Sequence, residues 1–261
     1  MNKLSIKLMA VALTTLVATS ASHAGDALAR ITRTKSVRIA VPVDYPPYGS
    51  VGIDMAPRGL DVDVAKLIAE KLGAKVELLP VTAPNRVAYI QTKKVDLTIS
   101  SLGKTAEREK VIDYTIAYAP FYDAVYGTKA LPVKNFEEMM GKTVSVTRGS
   151  MQDKELQEMA PKANVLRFED NNSTIAAFRS GQTQMMAVGT TVVEALKQRD
   201  AKLDAELKVV LSNSPCFIGL GKDEPELKAK LNDIIRTAKT DGSLAAITKK
   251  WLNAPLGELP E

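Results

Sequence analysis

Ser100-Ser101-Leu102-Gly103-Lys104-Thr105-Ala106-Glu107-Arg108 gathers small hydroxyls, a glycine and an arginine behind the β-branched run Val95 to Ser100. A guanidinium is a planar fork that matches a carboxylate bidentately, and serine hydroxyls with loop N–H groups complete a shell around the same anion. The chemistry this points to is the grip of a carboxylate. Ser100 to Gly103 reads as a loop at the carboxyl end of a strand, where ligands of open α/β sheets bind. Thr105 reads as the N-cap of a short helix with Glu107 in its first turn, which brings Arg108 within reach of the loop. Taken alone, the segment fits equally well an Arg108 that neutralises a surface carboxylate.

Other chemistries are narrowed by composition. Lys3 and Lys7, the apolar run Leu8 to Ala18 and the small residues Ser22-His23-Ala24 read as a secretory signal peptide over residues 1–24, cut ahead of Gly25. The run is too short to span a bilayer, and a bacterial periplasm is the expected destination. The single histidine, His23, falls in that leader, so the mature chain has none for a catalytic triad or a zinc site. Cys216 is the sole cysteine, expected to be buried and structural, and a lone thiol forms no internal disulfide. Removing Lys3 and Lys7 lowers the formal charge from +5 to +3 with both signs interspersed, which argues against a nucleic-acid partner. Gly103-Lys104-Thr105 and Gly141-Lys142-Thr143 lack the earlier glycine of a phosphate-binding loop, and Ser101 and Lys104 lack the companion segments of penicillin-recognising enzymes. Asp61 and Asp63 read as helix-start residues rather than calcium ligands. No cofactor or metal is expected, and nothing asks for a second copy, so a monomer is expected.

These side chains need a scaffold, and the order of elements supplies one. Val37 to Val41, Lys75 to Leu79 and Val95 to Ser100 read as strands, with helices over Asp63 to Leu72 and Asn85 to Thr92 between them. A second alternation starts near residue 131, with strands at Thr143 to Val146, Asn164 to Phe168 and Met185 to Val188 between helices. Two helices, split at Asp241-Gly242, close the chain, and Trp251 is expected to dock the last one on the first unit. Two α/β units suggest two lobes around a cleft, with chain crossings near Tyr126 to Lys129 and Ser212 to Cys216. The expected division is residues 25–127 plus 217–261 for lobe 1 and 128–216 for lobe 2.

The segments Val37 to Tyr48 (VRIAVPVDYPPY), Gly59 to Gly73 (GLDVDVAKLIAEKLG), Lys94 to Asp113 (KVDLTISSLGKTAEREKVID), Gly141 to Gln152 (GKTVSVTRGSMQ) and Asp241 to Trp251 (DGSLAAITKKW) together resemble the periplasmic solute-binding proteins, family 3, that feed polar amino acids to ABC importers. The resemblance covers nearly the whole mature chain. It implies a type II, two-lobe venus-flytrap α/β fold with two hinge crossings, a small carboxylate-bearing solute as ligand, and an ABC permease in the inner membrane as partner. It also implies that Arg108 clamps the ligand's carboxylate with Ser101 and Gly103, and that Tyr45 or Tyr48 walls the pocket. Ser150 and Met151, in a loop at a helix N-terminus, would add hydrogen bonds from the second lobe. Asn85-Arg86 looks like the glutamate- and aspartate-binding members, where the arginine faces the ligand; with Arg108 it would suit an acidic amino acid or dicarboxylate. The alternative for Arg86 is a structural ion pair.

One departure stands out. Members that hold an α-amine place an aspartate after the strand that here reads Met185 to Val188, and this chain has Gly189-Thr190-Thr191. Asp44 and Asp170 are the candidates to replace it, because an ammonium left unpaired in a closed cleft is costly. The competing class is an enzyme on the same fold, resembling cyclohexadienyl dehydratases, in which Asp44 or Glu169 would act as the acid. A ligand-presenting sensor is the third reading. The sequence favours a binding protein and not an enzyme.

Overall fold

The computed structural model describes residues 27–261, so the expected leader and its cut lie outside the described residues. In chain order, α1 (Ala27–Thr34) leads into β1 (Ser36–Val41), and a small antiparallel sheet of β2 (Asp44–Tyr45), β3 (Gly49–Val51) and β4 (Pro57–Arg58) intervenes before α2 (Leu60–Lys71) and β5 (Lys75–Pro80). A 3-10 turn, Ala83–Asn85, precedes α3 (Arg86–Gln91), followed by β6 (Leu97–Leu102), α4 (Ala106–Glu109), β7 (Ile112–Ala119), β8 (Tyr122–Gly127) and a second 3-10 turn, Glu137–Met139. Then come β9 (Thr143–Thr147), α5 (Met151–Met159), β10 (Asn164–Phe168), α6 (Asn171–Arg179), β11 (Met185–Gly189), α7 (Thr190–Arg199), β12 (Glu206–Asn213), β13 (Cys216–Gly221), α8 (Pro225–Thr240) and α9 (Ser243–Leu252).

Two five-stranded sheets repeat one plan. The first runs β5-β1-β6-β13-β7, with β5, β1 and β6 parallel and β13 antiparallel to both neighbours. The second runs β10-β9-β11-β8-β12, with β10, β9 and β11 parallel and β8 antiparallel to both neighbours. β6 is buried at every residue, as a central strand covered on both faces must be. On one face, Ile39, Leu97 and Ile99 meet Val64 and Ile68 of α2 and Leu231 and Ile235 of α8. Ala40, Leu102, Ile90 and Phe217 fill the other.

Helix ends follow local chemistry. α2 opens with Asp61 and Asp63 in its first turn, where carboxylates complement the helix dipole, and Gly73 beyond its end adopts φ +64, a conformation glycine reaches without cost. Thr105 caps α4 as expected, its Oγ1 accepting from the Arg108 N–H at 3.1 Å. The Trp251 indole donates to Asp63 Oδ2 at 2.7 Å, tying α9 to α2 as expected. Cys216 is fully buried, and burial pushes its thiol well up. Asp96 accepts from the Arg38 N–H at 2.8 Å and from Arg38 Nη2 at 2.7 Å, and also pairs with Arg30, holding β1, β6 and α1 together.

The chain changes sheets at Pro120-Phe121 and at Ser214-Pro215. The first crossing therefore precedes the expected Tyr126 to Lys129, and residues 122–127 pair inside the second sheet. Ala124 and Val125 are wholly buried between β11 and β12, while Pro120, with no N–H to donate, interrupts the ladder ahead of them. No helix among the described residues is long and apolar enough to cross a membrane.

Candidate functional site

The carboxyl ends of β6, β9, β10 and β11 converge on a small cavity between the two sheets. Tyr45, Arg86 and Ser101 line it from the first side, Phe121 and Ser214 from the crossings, and Asp123, Ser150, Met151, Gln152 and Asn171 from the second. Ligands of open α/β sheets bind at such strand ends.

Arg86 is the cationic wall. It opens α3 and is 6% exposed, with Nε donating to Ser100 Oγ at 3.1 Å and the terminal nitrogens without a hydrogen-bond partner among the described residues. Ser101 stands beside it with φ +39, a left-handed conformation that costs a serine on the order of 1–3 kcal/mol. The bend is held by Asp61, whose Oδ2 accepts from the Ser101 N–H at 2.7 Å and whose Oδ1 accepts from the Tyr118 hydroxyl at 2.6 Å. Burial pushes the Asp61 carboxyl up to about 7, against the pull of those two bonds. Ser101 Oγ itself is buried without a partner.

From the second side, Ser150 caps α5, its Oγ accepting from the Asp153 N–H at 3.2 Å. Amides in the first turn of a helix have no intrahelical acceptor, so those of Met151 and Gln152 are donors at the cavity wall. Asp123 is the carboxyl of the second side. It is 0% exposed and neither carboxylate oxygen has a hydrogen-bond partner. Burial pushes its carboxyl well up, the neighbouring Glu155 pushes further, and Arg86 opposes both.

Aromatic rings close the remaining side. Tyr45 stacks on Phe121 with centroids 6.2 Å apart, and its hydroxyl accepts from the Gly189 N–H at 2.8 Å and from Gln152 Nε2 at 3.3 Å, joining β2 to β11 and α5.

The structure thus brings Arg86, Ser101, Tyr45, Ser150 and Met151 together and leaves other expected residues outside. Arg108 is half-buried at the rim, with Nη1 donating to Gly103 O at 2.7 Å and Nη2 crossing to Gly149 O at 2.8 Å. Glu107 and Lys154 form a parallel ion pair at 2.6 Å. Gly103 is a contact point between the units, since a Cβ there would sit 2.6 Å from Met151 Cγ and from Ser214 Oγ. Tyr48 is wholly buried behind Phe121, its hydroxyl donating to Pro120 O at 3.2 Å. Asp44 accepts from the N–H and side-chain amide of Asn171, at 2.8 and 3.1 Å, so it fixes the start of α6. Asp170 caps the same helix through Ser173. Glu169 is exposed and paired with Arg148.

Sequence reasoning missed Asp123, Phe121, Gln152, Asn171 and Ser214. For Asp123 a signal existed: Tyr122-Asp123-Ala124-Val125-Tyr126 is one carboxylate in an otherwise apolar strand. Among the described residues, no three His, Cys, Asp or Glu side chains group as metal ligands.

Comparison with known proteins agrees with this architecture. The model of the bacterial extracellular solute-binding proteins, family 3, matches residues 37–254. The chain is 25% identical over 232 residues to the ABC transporter glutamine-binding protein of Bacillus subtilis (strain 168), covering 87% of this chain and 85% of that one. It superposes on a solute receptor for L-cysteine of Neisseria gonorrhoeae with a TM-score of 0.82, at 28% identity over 90% of this chain and 99% of that one. An ancestral amino acid-binding protein described as a precursor of cyclohexadienyl dehydratase matches with a TM-score of 0.78 at 27% identity, over 86% of this chain and 98% of that one. The fold is the two-lobe flytrap of such proteins.

Proposed function

This chain belongs to the bacterial extracellular solute-binding proteins, family 3, and from that premise we infer that it captures a small amino acid in the bacterial periplasm for an ABC permease in the inner membrane. The observation that carries the reading is the pairing of a buried, underused guanidinium, Arg86, with the unpartnered hydroxyl of Ser101 at one cavity wall. A carboxylate satisfies both, and the first-turn amides of α5 complete its shell. The relatives' ligands, glutamine and L-cysteine, are amino acids that share this end.

The ligand we propose carries one carboxylate. A dicarboxylate would need a second cation, and Arg108 is engaged with Gly103 and Gly149 at the rim. This replaces the acidic specificity suggested by two arginines.

The dehydratase reading has less support. Asp44 and Glu169, the acids it would use, are committed to Asn171 and Arg148, and neither lines the cavity. Thermal shift of the mature protein against L-cysteine, L-serine, L-glutamine, L-arginine and L-glutamate, each beside its decarboxylated amine, tests the proposal. At a hundredfold excess over Kd, a ligand of the folded state adds about 2.7 kcal/mol. Stabilisation by a monocarboxylate amino acid and not by its amine is expected. Formation of aromatic product from prephenate or arogenate would overturn the binding-protein reading.

A further inference from the structure

We propose that Asp123 is the acceptor of the ligand's α-ammonium group, taking the place of the aspartate expected after β11. The inference rests on the amino-acid reading above and deepens it.

The geometry is that of a carboxylate moved one strand sideways. Asp123 on β8 and Gly189 on β11 are directly opposed in the antiparallel register. Opposed residues project to the same face of a sheet, so the Asp123 carboxylate leaves from the face that a side chain at 189 would share. Position 189 itself has no room, because a Cβ there would lie 2.6 Å from Phe121 Cζ. Asp44 and Asp170, the other candidates, have their oxygens on the start of α6.

Asp123 lacks a protein cation of its own. Both oxygens are buried and unpartnered, and although Arg86 lines the same cavity, no ion pair joins them among the described residues. A buried carboxylate in that state is costly unless a cation arrives. The cavity therefore presents a guanidinium at Arg86 and, on another wall, an unpartnered carboxyl at Asp123 that an arriving cation ionises, which matches a zwitterion. The groups facing Asp123 are Arg86 from α3, Glu155 and Gln152 from α5, Tyr45 from β2 and Cys216 from β13. Glu155 has Oε1 on Ser212 and Oε2 unpartnered, which deepens the negative end. An arriving ammonium favours the ionised form of Asp123, so binding releases the proton that burial retains.

The test compares wild type with Asp123→Asn by isothermal calorimetry, using L-cysteine, L-alanine and L-glutamine against their des-amino acids, 3-mercaptopropionate, propionate and glutaramate. Wild type should prefer the amino acid by about 100-fold, the usual consequence of removing one partner of a buried hydrogen-bonded charge pair. Asp123→Asn should lose about 100-fold toward the amino acid and stay within about threefold toward the des-amino acid. In wild type, the observed heat near neutral pH should vary with the buffer's ionisation enthalpy, reporting the released proton; this readout needs no variant. If Asp123→Asn binds the amino acid within about threefold of wild type, or wild-type binding releases no proton, the assignment is overturned while the amino-acid reading stands. If wild type binds only the des-amino acids, both fall.

Discussion

Replacing Arg86 and Arg108 separately decides which arginine holds the carboxylate. Arg86→Met keeps the buried stem and removes the charge. A bound carboxylate would then sit in the cavity without its cation, a loss of about 3–5 kcal/mol, or roughly two to three and a half orders of magnitude in affinity. Arg108→Met acts differently. Its bond to Gly103 O lies within one unit and is lost equally in open and closed forms, whereas its bond to Gly149 O joins the units and favours closure. For a half-exposed side chain, one such bond is worth about 1 kcal/mol, which weakens binding roughly fivefold. Calorimetry with the amino acid found by thermal shift measures both, and circular dichroism melts of the free proteins verify folding. A larger loss at Arg108 than at Arg86 would refute the assignment and return the carboxylate to the rim.

Gly103→Ala should weaken ligand binding about 5- to 150-fold with little change in the Tm of the free protein, because the new Cβ meets Met151 and Ser214 only when the units are closed, an overpacking of about 1–3 kcal/mol; unchanged affinity would rule out the close approach. Asp96→Asn should lower stability by about 1–3 kcal/mol in urea unfolding, since it removes the charge that Arg30 and Arg38 share, and a loss below about 0.5 kcal/mol would count against that network. Asp61 sets a pH dependence. Its carboxyl is raised from 3.8 to about 7 in the folded chain, so the folded state binds the proton more tightly; the associated stability is full below about pH 4 and is lost as pH rises through about 7, on the order of 4 kcal/mol. Asp61→Asn should flatten the fall between those limits in urea titrations, and equal slopes for both proteins would exclude Asp61 as its source.

Local chemistry was legible wherever it depends on near neighbours. The Thr105 cap follows from residue type and position, and the strand before Ser100 follows from its β-branched run. The small strands β2, β3 and β4 were not legible, because two- and three-residue pairings carry no periodicity. The crossing at Pro120-Phe121 was missed because an apolar strand such as Tyr122–Gly127 fits the middle of either sheet, and only the register against β11 and β12 assigns it.

The sequence by itself determined an α/β chain in two units, a loop of small hydroxyls with a glycine and an arginine at the end of β6, and a glycine at position 189. Side-chain types and their spacing encode these features directly. Only the tertiary structure decided that Arg86 rather than Arg108 lines the cavity and that Asp123 lines it too. Arg86 and Arg108 have the same chemistry and stand on either side of one strand, so their separation into wall and rim depends on what the second unit brings against them. Asp123 faces the cavity because β8 pairs beside β11, a contact between residues 66 positions apart that no local pattern records.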